Sequence, residues 1–238
     1  MRKKILISGG LGKFAKQIML HGSESFEISA PSRQSMDIRN PRQIYSNIIR
    51  FNPDYFIHAA AMTRPMKSHE IAPMKSMKLN IEGTCNVVEA CSTTGLKLLY
   101  ISTDYVYPGK TGNYSEEDGV LPFTKYGWSK LGGECAVKMY DNSLILRIAM
   151  CEKPFPHPGA MIDVKKSSIF SDEAAKITLQ LLDEFGIINI GGPNQSIYDF
   201  VKTHQEEVKP ITRNSANSKM MPDVSMNTEK LNEISRRR

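Results

Sequence analysis

Short apolar runs alternate with segments of helical periodicity along the first two-thirds of the chain. The apolar runs are bounded by Gly, Pro, Asn or Ser and predict strands at residues 4–8, 26–30, 55–58, 97–102 and 143–147. The intervening segments keep apolar residues on one helical face and predict helices at residues 13–20, 42–51, 74–94 and 126–140. Strands and helices that alternate in this way are typical of an α/β fold in which helices cover a parallel sheet.

The pattern loosens after residue 150, where three prolines between 154 and 158 exclude regular structure. Further elements are predicted beyond them: a helix at 173–182, a strand at 187–190 and a helix at 197–208. Ser171 is the expected N-cap of the first of these helices. We therefore predict a first domain over residues 1–150 and a small, shortened substrate-binding lobe over residues 151–238.

A glycine-rich turn follows the first predicted strand. Gly9, Gly12 and Ala15 have the spacing G-x-x-G-x-x-A, and the segment continues directly into a helix. Glycine permits a tight bend and lets backbone N–H groups approach a pyrophosphate at the positive end of the helix, while Ala15 allows close packing on the strand. The pattern predicts a Rossmann-like, doubly wound parallel sheet that binds a dinucleotide through Gly9, Gly12, Lys13 and Phe14.

The second predicted strand ends without the acidic residue that holds a ribose 2′-hydroxyl in NAD-binding proteins. Ser32 and Arg33 stand there instead, and a guanidinium binds a 2′-phosphate bidentately. The sequence therefore favours NADPH as the cofactor. NADH is the alternative if Arg33 is only an exposed turn residue.

Composition narrows the function classes. The chain has 238 residues and a net charge of +6, but much of the basic excess lies at residues 2–4 and 236–238, so solvated tails are expected and nucleic-acid binding is not. Four cysteines form no C-x-x-C pair, which predicts reduced thiols and a cytoplasmic protein. No run approaches the ~20 apolar residues of a membrane helix, and the scattered histidines predict no metal site.

Tyr126 and Lys130 are four residues apart in a predicted helix and therefore share one face. The ammonium lies near the phenol in such an arrangement and lowers the pKa of the phenol from about 10 toward neutrality. This pair predicts a proton donor for carbonyl reduction. The spacing alone is weak, because Tyr198 and Lys202 repeat it, so the surroundings have to separate the two pairs.

Taken in chain order, these segments resemble the extended short-chain dehydrogenases/reductases and, within them, the dTDP-4-dehydrorhamnose reductase family. Ser102 and Thr103 end a strand just ahead of Tyr105, and His58 precedes three alanines, as in that family. The other matching positions are Asn80, Gly83, Thr84, Tyr107, Gly133, Glu134, Leu146, Arg147, Ser196, Tyr198 and the segment 225–231. The resemblance spans most of the chain.

The resemblance implies an oxidoreductase. Tyr126 would donate a proton to the substrate carbonyl, Lys130 would hold the nicotinamide ribose, and the Thr103 hydroxyl would orient the carbonyl. Tyr105 and Arg64 are expected to contact the substrate. Beyond the glycine turn, Ser32 and Arg33, the expected cofactor-binding residues are Asp37, Ile38, Ala59, Ala60, Ala61, Asn80 and Ser102.

The substrate that the resemblance implies is a nucleotide-diphospho-4-keto-6-deoxy sugar, reduced at C4 in deoxysugar biosynthesis. Dehydratases of the same fold have a glutamate at the position of Tyr105, so dehydration is disfavoured. Arg64 and the pair Lys165 and Lys166 suit a diphosphate, with solvated basic side chains as the alternative. Related proteins often pair through the helices equivalent to 74–94 and 126–140, which implies a homodimer.

Three other functions stay open at this point. The regulatory subunit of methionine adenosyltransferase resembles the same reductases, and a subunit of that kind would bind NADP without turnover. Cys151 follows a predicted strand and would approach the substrate in a bifunctional epimerase/reductase, with a buried structural thiol as the alternative. The shortened lobe would also suit a smaller carbonyl substrate that carries no nucleotide.

Overall fold

A computed structural model describes residues 1–216 and 218–237. Its strands are β1 (Lys4–Ser8), β2 (Glu27–Ser29), β3 (Tyr55–His58), β4 (Lys97–Thr103), β5 (Ser143–Ile148), β6 (Met150–Cys151), β7 (Gly159–Met161), β8 (Lys165–Lys166), β9 (Ile169–Phe170), β10 (Gly186–Ile190), β11 (Gln195–Ser196) and β12 (Lys209–Ile211). Its α-helices are α1 (Lys13–Gly22), α2 (Pro41–Phe51), α3 (Met66–Ile71), α4 (Pro73–Ser76), α5 (Gly83–Thr94), α6 (Lys125–Val137), α7 (Ser171–Gln180), α8 (Ile197–Lys202) and α9 (Glu229–Arg236). A π-helical segment, Met77–Glu82, joins α4 to α5, and a 3₁₀ turn, Asp104–Val106, follows β4.

Six parallel strands form the central sheet in the order β2-β1-β3-β4-β5-β10. From β1 the chain passes to β2 on one side and then returns to β3 on the other side, so the strand order reverses between β1 and β3. Ligands of open α/β sheets bind outside the carboxyl ends of the strands at such a reversal. The predicted doubly wound α/β fold is confirmed.

Two apolar layers cover the sheet, one on each face, because successive strand residues point to opposite sides. Ile5 and Ile7 of β1 enter the layer that α1 and α7 close, whereas Leu6 enters the layer that α2, α5 and α6 close. All three side chains are fully buried. Helices packed on both faces therefore hold the carboxyl ends of the strands in fixed positions.

The predicted strands agree with β1 to β5 to within one residue at each end. The predicted helix at 74–94 contains the π-helical segment, at a point where α6 packs so closely that a Cβ on Gly133 would lie 2.9 Å from Asn80 O. Ser171 was expected to cap a helix, but it is the first residue of α7 and Phe170 precedes it as the N-cap. The predicted helix at 197–208 ends earlier, at Lys202.

A smaller lobe is built from the short strands after residue 150, paired as β6 with β9, β7 with β12 and β8 with β11. β10 comes later in the sequence but belongs to the central sheet, so the domain boundary at residue 150 stays a prediction. None of the helices within residues 1–216 and 218–237 is long and apolar enough to cross a bilayer. The apolar centre of the lobe is formed by Ala160, Phe170, Phe200, Val201 and Val208.

A buried ion pair joins α6 to β5. Arg147 Nη2 lies 2.9 Å from Glu134 Oε2, Arg147 Nε donates to the same carboxylate, and the two side chains are 4% and 1% exposed. Arg147 Nη1 donates to Tyr107 Oη at 2.9 Å, and that oxygen lies 2.8 Å from Asn189 Oδ1 of β10. This polar network ties α6, which carries Tyr126, to β5 and to the edge strand β10.

Candidate active site

The glycine-rich turn between β1 and α1 packs against the backbone of two neighbouring segments. Gly9 has a φ of +78°, and a Cβ there would lie 2.9 Å from Ala60 Cα. A Cβ on Gly10 would lie 2.1 Å from Ala30 O, so neither position accepts a side chain. Gly12 donates its N–H to Gly9 O at 2.8 Å, and α1 begins at the next residue. The turn therefore presents the first N–H groups of α1, which have no partner within the helix, at the reversal of the strand order.

Lys13 and Phe14 open α1 in different ways. The Phe14 side chain is buried in the apolar layer beneath the helix, so only its backbone faces the turn. The Lys13 ammonium forms an ion pair with Glu152, which also pairs with Arg64 at 3.5 Å. Glu152 was not identified from the sequence. It holds two basic residues at the edge of the site, one from each side of the reversal.

Two arginines surround Asp37 beyond β2. Arg39 Nη2 lies 2.5 Å from Asp37 Oδ2, and Arg33 Nε lies 3.4 Å from the same oxygen. Hydrogen bonds from Arg39 hold the pKa of Asp37 well below its usual range, with a smaller contribution from Arg33. Arg39 was missed in the sequence, although it stands only two residues after Asp37. The carboxylate is thus neutralised, and the Arg33 side chain remains 65% exposed.

Other predicted cofactor residues lie along the carboxyl edge of the sheet. Ser32 and the segment 59–61, which follows β3, are half-buried. The Ile38 side chain is buried in the apolar core, and its carbonyl accepts a hydrogen bond from Asn86 Nδ2 at 2.9 Å. A contact of Ile38 with a cofactor would therefore involve little of its side chain.

The Asn80 side chain forms hydrogen bonds to two other segments of the protein. Its Oδ1 accepts from Met62 N at 2.7 Å, and its Nδ2 donates to Met62 O and to Ser129 Oγ at 3.0 and 2.9 Å. These bonds connect the loop after β3 to the helix that carries Tyr126. Since the Asn80 side chain is 1% exposed and fully engaged, its predicted contact with the cofactor stays a prediction.

His58 lies in a chain of buried hydrogen bonds at the end of β3. Its Nδ1 is 2.7 Å from Ser8 Oγ, and its Nε2 is 3.0 Å from Thr84 Oγ1. Because Thr84 donates its hydroxyl proton to Asn80 O, its oxygen accepts from His58 Nε2–H, and His58 Nδ1 accepts from Ser8. The ring is therefore neutral. Burial, together with the Lys130 ammonium, lowers the pKa of His58 from 6.5 to about 3.

Stability is expected to fall as the pH drops below 6.5, because the unfolded chain then binds a proton at His58 that the folded chain excludes down to about pH 3. The slope is about 1.4 kcal/mol per pH unit over that window. Urea unfolding of the wild type and of His58→Asn between pH 7 and pH 5 measures it, with exposed His157→Asn as the matched control. The same slope in the wild type and in His58→Asn would contradict this assignment. His69 is retained in both proteins, so the difference in slope reports on His58.

Thr103 and Tyr126 come together where β4 meets α6. Thr124 caps α6 by accepting a hydrogen bond from Gly127 N at 3.0 Å. A Cβ on Gly127 would lie 2.4 Å from Tyr105 O, so the first turn of α6 packs tightly on the 3₁₀ turn that follows Thr103. The Tyr126 phenol is half-buried. Burial raises the pKa of the phenol above its usual value, and the neighbouring Thr103 hydroxyl offsets only part of this rise, so the expected lowering toward neutrality by Lys130 is wrong for this structure.

Lys130 is buried one helical turn further along α6. Its ammonium lies 4.0 Å from the centroid of the Tyr100 ring, and burial lowers its pKa from 10.5 to about 7, with Glu134 acting in the opposite direction. Ser102 shares with Tyr100 the face of β4 that points toward α6. The Ser102 hydroxyl is buried and has no hydrogen-bond partner in the part of the chain that the structure describes. The predicted neighbours of the cofactor thus include a polar atom that lacks a partner.

The second Tyr-x-x-x-Lys pair has different surroundings. Tyr198 and Lys202 lie on the short helix α8 of the smaller lobe, and the Lys202 ammonium is exposed 5.3 Å from the centroid of the Tyr198 ring. Tyr198 packs against the apolar centre of the smaller lobe. The surroundings therefore separate the two pairs, as the sequence required.

A cavity of about 490 Å³ lies between the strand ends and the smaller lobe, and the described residues that line it do not include Thr103, Tyr126 or Lys130. Tyr105 and Arg64, the two predicted substrate residues, both line it, and so does Cys151. The Tyr105 ring stacks on Phe123 at 5.3 Å and meets the Tyr126 ring edge-on at 5.8 Å. The smaller lobe thus helps to enclose a space of ligand size, whose wall includes the Tyr105 ring that contacts the Tyr126 ring.

The position of Lys166 differs from the expected solvated pair of lysines. The pair Lys165 and Lys166 was expected to be solvated or to meet a diphosphate. Lys165 is exposed, but Lys166 is buried and forms an ion pair with Asp104 at 2.9 Å. Neighbouring strand residues point to opposite sides, so one lysine faces solvent while the other lines the cavity.

Comparison with known proteins identifies the family. A family model described as RmlD substrate binding domain matches residues 2–151, more than half of the chain. The chain belongs to this family. The matched segment includes the glycine turn, Thr103, Tyr126 and Lys130, so the RmlD-type similarity covers the whole candidate site except the residues of the smaller lobe.

Individual relatives extend the RmlD-type similarity beyond that segment. The dTDP-4-dehydrorhamnose reductase of Aggregatibacter actinomycetemcomitans is 27% identical over an alignment of 225 positions that covers 83% of this chain and 76% of that protein. Methionine adenosyltransferase 2 subunit beta of Rattus norvegicus is 30% identical over an alignment of 157 positions that covers 61% of this chain and 46% of that protein. The crystal structure of the reductase from Bacillus anthracis, in complex with NADP, has a TM-score of 0.86 at 23% identity and covers 98% of this chain and 92% of its own.

Proposed function

We propose that this protein reduces the C4 carbonyl of a nucleotide-diphospho-4-keto-6-deoxy sugar with NADPH. The observation that supports this most is the position of the Tyr126 phenol. It lies against Thr103, on the same helix as Lys130, and its ring meets edge-on the ring of Tyr105, which lines a cavity of about 490 Å³. The relatives named dTDP-4-dehydrorhamnose reductase support the same reaction class.

The residues at the reversal of the strand order fit a dinucleotide. Gly9 and Gly10 pack so closely on the backbone of Ala60 and Ala30 that neither accepts a Cβ, and the Ser102 hydroxyl is buried without a hydrogen-bond partner among the described residues. The turn N–H groups would hold the pyrophosphate, Arg33 the 2′-phosphate and Lys130 the nicotinamide ribose. NADPH, when bound, would supply the hydride. NADH is the alternative cofactor.

The residues around the carbonyl would move one proton. Tyr126 Oη would donate its proton to the carbonyl oxygen as that oxygen becomes negative. Thr103 Oγ1 would hydrogen-bond the same oxygen and fix its direction. Lys130 has its pKa lowered to about 7, so its amine alternates easily between charged and neutral forms near neutral pH. This arrangement suits the return of a proton to Tyr126 after each turnover.

The cavity supports a nucleotide-linked substrate. Tyr105 presents a stacked aromatic face, and Arg64 presents a guanidinium that pairs with Glu152 at 3.5 Å. A diphosphate would compete with Glu152 for Arg64, because both are anions of matching geometry. We further propose a cytoplasmic homodimer formed through α5 and α6, whose outer faces expose Cys85, Cys135 and Trp128.

A non-catalytic subunit is the second candidate, because rat methionine adenosyltransferase 2 subunit beta is 30% identical over 157 residues. The presence of Thr103, Tyr126 and Lys130 together argues for the enzyme. An assay of NADPH oxidation with a 4-keto-6-deoxy sugar nucleotide separates the two candidates. Turnover supports the reductase, and NADPH binding without turnover supports the subunit.

Cofactor preference tests the role of Arg33. Arg33→Ala is expected to raise the KM for NADPH about tenfold, because a hydrogen bond to a charged group contributes ~1.5–3 kcal/mol and this side chain is at the exposed end of that range. The KM for NADH should stay within about twofold. Arg42→Ala, at the exposed start of α2, is the matched control. An equal rise for both cofactors, or the same rise in Arg42→Ala, would exclude a contact between Arg33 and the 2′-phosphate.

A further inference from the structure

Lys166 reaches from the smaller lobe into the site on the central sheet. It lies on β8, whose partner is the antiparallel strand β11, and its side chain is 11% exposed. Its ammonium is 2.9 Å from Asp104 Oδ2 and 4.8 Å from the centroid of the Tyr105 ring. The side chain thus approaches the residue that follows Thr103 and the ring that packs on Tyr126.

Asp104 connects this ammonium to the predicted catalytic hydroxyl. Its side chain is 1% exposed, and its Oδ1 accepts the Thr103 hydroxyl proton at 3.1 Å. A buried carboxylate requires a nearby opposite charge, since the isolated ion is strongly disfavoured in the protein interior. Lys166 provides that charge. The strength with which Asp104 holds the Thr103 proton therefore depends on Lys166.

We propose that Lys166 is a positioning residue for the carbonyl reduction: by balancing Asp104, it frees the Thr103 hydroxyl to turn toward the substrate and keeps an uncompensated negative charge away from the Tyr126 phenol. This inference rests on the proposed function and deepens it. Lys166 acts through Asp104 and need not touch the reacting atoms.

The groups that face Tyr126 make the direction of the effect clear. Burial raises the pKa of the phenol and so do Asp104 and Tyr105, whereas Thr103 and Lys166 lower it. The His69 ring packs edge-on against the Tyr126 ring at 5.1 Å. Lys130 lies four residues further along α6, with its ammonium over the Tyr100 ring. Removing the Lys166 charge leaves Asp104 unopposed and raises the pKa of the phenol further.

Lys166→Met tests the proposal, with Lys165→Met as the matched control one residue away on the exposed side of the strand. For Lys166→Met we expect at least a tenfold loss of kcat at pH 7, an unchanged KM for NADPH, and an alkaline limit of the reduction rate that lies about one pH unit higher than in the wild type. Lys166→Arg should keep most of the activity. Equal kcat values and pH profiles in the two methionine variants would overturn the proposal.

A double variant separates the positioning role from a general loss of structure. Lys166→Met combined with Asp104→Asn removes both charges, so it should recover kcat and thermal stability relative to Lys166→Met alone. No recovery of either would overturn a role through Asp104. The stability part of this cycle needs no substrate. If the wild type turns over no carbonyl substrate, the proposed function is contradicted. The thermal stabilities of the single and double variants still measure the coupling between Lys166 and Asp104.

Discussion

Replacing Tyr126 with Phe is expected to lower kcat for carbonyl reduction by about 10²- to 10⁴-fold, because the change removes the proposed general acid and leaves no other hydroxyl in its place. The ring itself should keep its position. It packs edge-on against Tyr105 at 5.8 Å and against His69 at 5.1 Å, and neither contact uses the phenol oxygen. The Kd for NADPH, measured by fluorescence titration, should therefore change by less than about threefold, while stopped-time assays record the loss of turnover.

Tyr198→Phe is the matched control for this experiment, because Tyr198 and Lys202 on α8 repeat the spacing of the proposed catalytic pair, Tyr126 and Lys130. Its kcat should equal that of the wild type. If Tyr126→Phe kept turnover within a few-fold of the wild type, the phenol would not be the proton donor. A loss of equal size in Tyr198→Phe would show that the assay reports on stability instead.

Breaking the ion pair between Glu134 and Arg147 is expected to cost about 3–5 kcal/mol of the free energy of unfolding. Glu134→Gln leaves the guanidinium of Arg147 buried, with the side chain only 4% exposed and without a neutralising charge. The two remaining hydrogen bonds of Arg147, to Tyr107 Oη and to Glu116 O, do not supply that charge. Urea unfolding at pH 7 measures the loss as a lower midpoint at an unchanged slope.

A surface pair provides the control for this prediction. Glu233 and Arg237 lie 3.9 Å apart on and just after α9, with side chains 61% and 76% exposed, so Glu233→Gln should cost less than about 1 kcal/mol. Similar losses in Glu134→Gln and Glu233→Gln would mean that burial adds nothing to the pair at Arg147. Replacing Glu134 and Arg147 together with apolar residues should be milder than Glu134→Gln alone, because no charge is then left unpaired.

The fold could be predicted largely from the sequence because its signals are local. The apolar runs of β1 to β5 and the glycine turn at Gly9 and Gly12 each reflect a constraint within a few residues, and the structure places those strands to within one residue. Thr103, Tyr126 and Lys130 were identified in the same way, from a strand end and a helical spacing. Their catalytic roles stay predictions, although the fold brings Thr103 and Tyr126 together.

The rest depends on contacts between distant segments. Lys166 was expected to meet a diphosphate or to be solvated, and only the pairing of β8 with β11 directs its side chain to Asp104. Glu152 pairs with Lys13 and Arg64, which are more than eighty residues away in the sequence, so no local sequence pattern could predict these contacts. The π-helical segment also escaped prediction, because it forms where Gly133 brings α6 close to Asn80.

The most direct test follows NADPH oxidation by the wild-type protein on freshly prepared dTDP- and UDP-4-keto-6-deoxyglucose, each with and without an added 3,5-epimerase. The account predicts turnover of at least one nucleotide sugar, with NADPH preferred over NADH and a product reduced at C4. Turnover without added epimerase that gives a product inverted at C3 and C5 would reveal the bifunctional alternative. Tight binding of NADPH with no oxidation on any of these substrates would contradict the reductase and favour a binding subunit.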